Sequence, residues 1–264
     1  RIYMIHPDIL YSKAFSIDLR DVDFKNQLKM SSLFQYFQET ANLASEKLGL
    51  GLENLVVHFG VTWVLVRMRV DIERLPEWNE EITIQTWPIE PNRFEFDRDF
   101  TVLDQRGKTI IRANSTWVIM GMKDRKIRRA ESIGNFYPIL TKERAIPEKF
   151  RRLKASDHLE YAYTKKIGYS DVDINGHLNN TKYIDYIMDC FSVPEHEKYE
   201  ATSIEVHFSN EALPGEHLLL FKDTSQIGEG KVYIEGQKKG NEQTVFKAEV
   251  KISDRPSNDN EMKA

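Results

Sequence analysis

Between residues 94 and 119 apolar and polar positions alternate in register. Phe94, Phe96, Arg98, Phe100 and Val102 share one side of an extended chain, and Ile111, Ala113, Ser115, Trp117 and Ile119 share another. A period of two is that of a half-buried strand. The same reading predicts strands over 61–72, 81–87, 94–103 and 109–122, then over 202–208, 217–222, 231–237 and 244–253. Gln105-Arg106-Gly107 and Lys239-Gly240-Asn241 read as hairpin turns. The period changes twice to that of a helix. Met30, Leu33, Phe34, Phe37, Ala41, Ala44 and Leu48 form one stripe, with Ser31 or Ser32 able to cap its start and Gly49 or Gly51 its end. Ile184, Ile187, Met188 and Phe191 form the other, with Asn179 or Asn180 as cap and Pro194 beyond the end.

These elements occur twice. A shift of 150 places Asp21-Val22-Asp23 on Asp171-Val172-Asp173 and Leu28 on Leu178 without a gap. Leu33, Phe34, Tyr36 and Phe37 then fall on Tyr183, Ile184, Tyr186 and Ile187, and Tyr11 and Ile17 on Tyr161 and Ile167. Each half therefore reads as one strand, one long helix and an antiparallel meander. The sheet should wrap the helix's apolar stripe, and two such units can join edge to edge and cover exposed strand edges.

Composition narrows the class. The 264 residues are 41% hydrophobic and 30% charged, with a net charge of −4. That fits a globular chain rather than a disordered or polybasic nucleic-acid-binding one. No apolar run approaches the roughly 20 residues of a spanning helix. One cysteine excludes an intrachain disulfide and a CxxC site. The start, Arg1–Pro7, lacks the apolar stretch of a secretory signal, so a cytoplasmic setting is expected; a first residue other than Met leaves a trimmed leader open. Residues 123–154 hold 11 basic and 4 acidic side chains, net +7, and read as a connector. The tail from Ser253 to Ala264 is polar and is expected to fray.

The two copies keep the same apolar frame and differ in polar residues. Lys25 and Gln27 of the first stand where the second has Asn175 and His177. An Asn amide and helix-terminal N–H groups can hold an oxyanion, and His transfers protons near neutral pH. Asp, Asn and Gly are also ordinary turn and cap residues. Taken alone, the string 173–180 supports either reading.

Asp173-x-Asn175-x-His177-x-Asn179-Asn180-x-x-Tyr183 resembles the signature of the plant and bacterial acyl-(acyl carrier protein) thioesterases. The resemblance extends through Trp63–Met68, Arg74–Trp78, Thr86-Trp87 and Arg112–Val118, over about residues 10–250. It implies an α+β chain of two tandem hotdog domains. The N-terminal, acyl-binding copy covers 1–135, a basic linker 136–160 and the catalytic copy 161–264. The implied activity is hydrolysis of the thioester between a fatty acid and the carrier's phosphopantetheine arm, as in fatty acid biosynthesis.

Carried over by position, the catalytic residues are Asp173, Asn175, His177 and, on the strand leading through Val206 to Ala212, Glu211. Plant members have a cysteine directly after this Glu; here the position is Ala212, so a cysteine nucleophile cannot act there. Attack by water is the mechanism expected instead, with Glu211 as base. Asn175 and amides near Leu178–Thr181 would hold the oxyanion. His177 would share the proton load, and Asp173 would orient the Asn175 amide or the His177 ring. Glu211 also aligns with Glu73 at a shift of 138, which makes a strand-end acid the competing reading.

Phe34, Phe37, Trp63 and Leu65 are candidates for the acyl-chain wall, and equally for plain core. Arg128, Arg129, Arg151 and Arg152 are candidates for docking an acidic carrier. No metal or organic cofactor is implied, and a homodimer is compatible with the pattern. An acyl-CoA thioesterase and a non-catalytic acyl-thioester sensor are the alternatives.

Overall fold

The computed structural model describes residues 9–134, 140, 142–174 and 176–256. The first half supplies β1 (Tyr11–Ser16), α1 (Met30–Lys47), α2 (Leu52–Phe59), β2 (Val61–Ile72), β3 (Glu81–Pro88), β4 (Glu95–Leu103) and β5 (Thr109–Gly121). The second supplies β6 (Glu160–Lys166), α3 (Asn180–Met188), α4 (Val193–Lys198), β7 (Tyr199–Phe208), β8 (His217–Asp223), β9 (Lys231–Lys238) and β10 (Thr244–Asp254). The eight strands expected after the two helices are all present, with β2 at the expected residues.

All ten strands form one antiparallel sheet in the order β1-β3-β4-β5-β2-β7-β10-β9-β8-β6. The second half is the first read backwards. The join is β2 on β7, which pairs Arg67 with His207, Met68 with Val206, Arg69 with Glu205 and Val70 with Ile204. At the shift of 138 that relates the two strands, Val206 is the counterpart of Met68. The central pair is therefore self-matched, as at a two-fold axis. The seam pairs one edge of each half, β2 and β7, and leaves β1 and β6 as the outer strands of the sheet.

The helices α1 and α3 touch each other and share a single core with strands of both halves. In α1 the stripe Met30, Leu33, Phe34, Phe37, Ala41 and Ala44 is buried. Each of its large side chains contributes about 1.5–3 kcal/mol by leaving water. Each helix thus lies on its half of an antiparallel sheet, which is the double hotdog arrangement.

Several local expectations are corrected. The N-cap of α1 is Lys29, with no side-chain capping bond; Ser31 and Ser32 lie inside the first turn and are buried. The second helix is half as long as the first. It ends at Met188, and Ser192 with Pro194 begins the separate α4 through a capping box with Glu195. Pro194 therefore starts a helix rather than following one. The unforeseen α2 carries Leu52, Leu55, Val56 and Phe59 at helical spacing and ends at Gly60, whose φ of 63° suits a C-cap. It covers a small second core of Leu50, Leu55, Val61, Phe96, Ile119 and Ile133.

The connector between the halves is laid on the sheet. Ala145 and Ile146 are buried. The Asn114 amide donates to the Ile146 carbonyl at 2.7 Å and accepts its N–H at 3.2 Å. Asp99 accepts from Arg144 Nε and from the Ala145 N–H, each at 2.8 Å. Burial nevertheless pushes the Asp99 carboxyl above the ordinary aspartate range, against the pull of Arg144. Phe150 stacks on the Arg67 guanidinium at 5.0 Å and meets the edge of His207 at 6.1 Å, bridging the seam. The tail is likewise held at its start. Ser253 and Asp254 belong to β10, and Arg255 donates to the His196 and Tyr199 carbonyls and to Gln27.

Candidate active site

The loop before α3 is built by the same hydrogen bonds as its counterpart before α1. In the first copy the Asp23 N–H donates to the Gln27 carbonyl at 2.8 Å, and the Asp23 carboxylate accepts from the Lys25 and Gln27 N–H groups. In the second, the Asp173 N–H donates to the His177 carbonyl at 2.9 Å, and its carboxylate accepts the His177 N–H at 3.3 Å. Isolated bridges join Val22 to Leu28 and Val172 to Leu178. The left-handed position is Asn26 in one copy, φ 61°, and Gly176 in the other, φ 78°. Asp173 thus closes the turn, as Asp23 does where no chemistry is expected. Asn175 lies outside the described residues.

Downstream, the Asn179 side chain caps α3 by accepting from the Thr181 N–H at 2.9 Å. The Leu178 N–H donates to the Ala212 carbonyl and the Asn179 N–H to the Asp171 carbonyl. Three of the four amides expected to hold an oxyanion are therefore committed to the loop. Asn180, in the first helical turn, is the one whose N–H carries no such bond among the described residues.

His177 and Glu211 come together. His177 Nδ1 lies 3.7 Å from Glu211 Oε1, with side-chain exposures of 30% and 42%. Glu211 is not on β7, which ends at Phe208; it follows the strand, in the segment whose Ala212 carbonyl holds Leu178. The backbone bond that fixes α3's entry also carries Glu211 to the imidazole. Its counterpart Glu73 follows β2 in the same way, but is exposed and pairs with Lys108, which holds its carboxyl below the usual range. Glu211 has a second partner that the sequence did not reveal, the Arg125 guanidinium from the loop after β5.

A cavity of about 580 Å³ opens beside this loop. Its wall combines Asp173, Ile174 and Asn179 with Trp63, Phe96 and Trp117 from the first half's sheet, and with the outer side of α1. His177 and Glu211 are not part of that wall. Trp63 is fixed by its Nε1 donating to the Leu50 carbonyl at 2.9 Å. Phe34, Phe37 and Leu65 line a much smaller apolar void whose wall also includes Asn180 and Thr181. Of the four arginines, Arg128 pairs with Asp124 at 2.8 Å and Arg129 with Glu131 at 3.4 Å, while Arg151 and Arg152 are exposed.

Cys190 is buried on the α3 side, its Sγ directed at the Tyr186 carbonyl at 3.4 Å, and burial pushes its thiol up to about 12. Cys190→Ala is expected to leave kcat unchanged, and the native thiol to stay unmodified by a thiol reagent at pH 8 that titrates it in urea. Loss of activity on modification of the native protein would contradict this. No group of His, Cys, Asp and Glu among the described residues could hold a metal ion. No helix among them is long and apolar enough to cross a membrane.

Two hotdog units sharing one sheet, with a polar loop altered in one copy and a cavity walled by both, define the class: a double hotdog protein with its candidate site at one of two equivalent helix entries. Comparison with known proteins gives the family. Residues 8–133 match the family described as acyl-ACP thioesterase N-terminal domain, and residues 154–262 match acyl-ACP thioesterase C-terminal domain. The chain belongs to the acyl-ACP thioesterase family. It is 26% identical over 226 residues to a chloroplastic palmitoyl-acyl carrier protein thioesterase of Gossypium hirsutum, covering 79% of this chain and 53% of that protein. The chain thus spans about half the length of such curated relatives. A solved acyl-ACP thioesterase from Bacteroides thetaiotaomicron superposes with a TM-score of 0.85 at 28% identity, covering 93% of this chain and 98% of that one. The 12:0-ACP thioesterase of Umbellularia californica shares the fold, with a TM-score of 0.79 at 18% identity and coverage of 94% and 98%.

Proposed function

We propose that this protein hydrolyses fatty acyl thioesters of acyl carrier protein, releasing the free acid and ending chain elongation. The observation that carries this reading is the His177–Glu211 pair, 3.7 Å apart, which joins the loop bordering the cavity to the segment after β7 in the copy bearing the altered polar residues. Glu211 takes a proton from water as the water oxygen attacks the thioester carbonyl carbon. The carbonyl oxygen becomes an oxyanion, held by the Asn175 amide and the Asn180 N–H; one such donor is typically worth about 3–4 kcal/mol. Collapse breaks the carbon–sulfur bond, and the departing thiolate receives its proton through His177. Asp173 keeps the turn closed around these groups.

The first half would keep the helix and sheet without the chemistry. Trp63, with Phe34, Phe37 and Leu65 deeper in, would shelter the acyl chain. Units over 1–135 and 161–264 divide the labour in this way, joined by the connector 136–160.

The test is release of free acid from a panel of acyl groups, each presented on carrier protein and on CoA. Turnover on carrier thioesters supports the proposal; turnover confined to CoA esters points to an acyl-CoA thioesterase, and binding without release to a sensor. Replacing Arg128, Arg129, Arg151 and Arg152 together is expected to raise KM for carrier-bound substrate about tenfold and to spare short thioesters. Because Arg128 and Arg129 already have acidic partners, most of that rise should come from Arg151 and Arg152. An unchanged KM and salt dependence would remove the docking role.

A further inference from the structure

Arg125 belongs to the first half of the chain, yet it ends at the second half's candidate site. It sits in a tight loop leaving β5, where the Gly121 N–H donates to the Lys126 carbonyl at 2.9 Å and the Arg125 N–H to the Gly121 carbonyl at 3.0 Å. A bridge between Met120 and Ile127 closes the loop's base. Arg125 has φ 53°, a left-handed conformation uncommon for a residue with a side chain. Strained positions of this kind persist where the surroundings over-determine them, often at functional sites. The guanidinium Nη2 meets Glu211 Oε1, the same oxygen that faces His177 Nδ1.

An ion pair this exposed, with 35% and 42% of the side chains accessible, adds little to stability. Its geometric effect is larger. A glutamate that follows a strand end has three rotatable side-chain bonds, and an arginine on one oxygen narrows the range they sample. With Oε1 held between Arg125 and His177, Oε2 is left to receive the proton of water. We infer that Arg125 is a positioning residue for the hydrolysis, supplied by the non-catalytic half to orient Glu211. This inference rests on the reading of Glu211 as the base. It also gives a chemical reason for keeping the two halves in one chain, because neither half alone contains the complete arrangement.

The experiment compares Arg125→Ala, Arg125→Lys, Glu211→Gln and the double variant Arg125→Ala/Glu211→Gln, with kcat and KM measured on one carrier thioester and one short soluble thioester. Arg125→Ala is expected to lower kcat about 10- to 100-fold on both substrates, as small misplacements of reacting groups do, with KM held within about threefold. Arg125→Lys should recover part of the loss, because the charge returns without the planar fork. In the Glu211→Gln background, Arg125→Ala should cost no more than about twofold, since residues acting as a unit are not additive. A higher KM at unchanged kcat, confined to the carrier substrate, would overturn the inference and make Arg125 a docking residue. An unchanged or higher kcat, or full additivity with Glu211→Gln, would also overturn it. Parental activity in Glu211→Gln itself would instead remove the reading of Glu211, a result separable from the others.

Discussion

Glu211→Gln is expected to lower kcat by about 10²–10⁴-fold, the range for losing a positioned general base, with little change in KM. The side chain is 42% exposed and follows the end of β7, so the amide fits without repacking and the melting temperature should hold. The substitution keeps the shape of the group and removes its capacity to accept the water proton. His177→Ala is expected to give a loss of similar size. The double variant should be little worse than either single one, because both act on the same proton transfer. Acid release from a carrier thioester under saturating substrate checks all three. If Glu211→Gln and His177→Ala both turned over at the parental rate, the chemistry would have to be sought among the groups that line the cavity, which His177 and Glu211 border without lining.

The second large effect concerns stability. Phe37 is 1% exposed on α1, with its ring 4.9 Å from Phe100 on β4 and 6.4 Å from Phe34. Phe37→Ala is expected to cost about 3–5 kcal/mol through lost burial and the cavity left behind. Urea unfolding should show this as a lower midpoint at unchanged slope. Because one core runs through both halves, the two should unfold together. The same ring borders the small void beside Asn180 and Thr181, so the truncated variant should turn over longer acyl chains relative to the parent. A midpoint shift equivalent to less than about 1 kcal/mol would show that the site collapses around the gap.

The strands were legible because most have a wet face and a dry face, so that alternation survives in the sequence, as in Ile111, Ala113 and Ser115. The α1 stripe was legible for the same reason, at a different period. The division of α3 from α4 was not, since Phe191 continues the apolar spacing past Met188 where the helix stops. The eight-residue α2 is short, and its Val56, Val57 and Phe59 remain partly exposed, so its pattern is weak. Three features of the site were visible only in the structure. The amides of Leu178, Asn179 and Thr181 are spent on the loop, Glu211 lies beyond its strand, and Arg125 reaches it from 86 positions away.

The duplication, the antiparallel meanders, the two buried helices and the polar difference between Lys25/Gln27 and Asn175/His177 are all written in the order of residues along the chain. Those features rest on local periodicity and on comparing the chain with itself. The fusion of the two sheets at Met68 and Val206, the placing of the basic connector against the sheet and the pairing of charged groups come from the folded arrangement alone. Ion pairs and cavity walls depend on distances between elements far apart in the chain, which spacing along the chain does not encode.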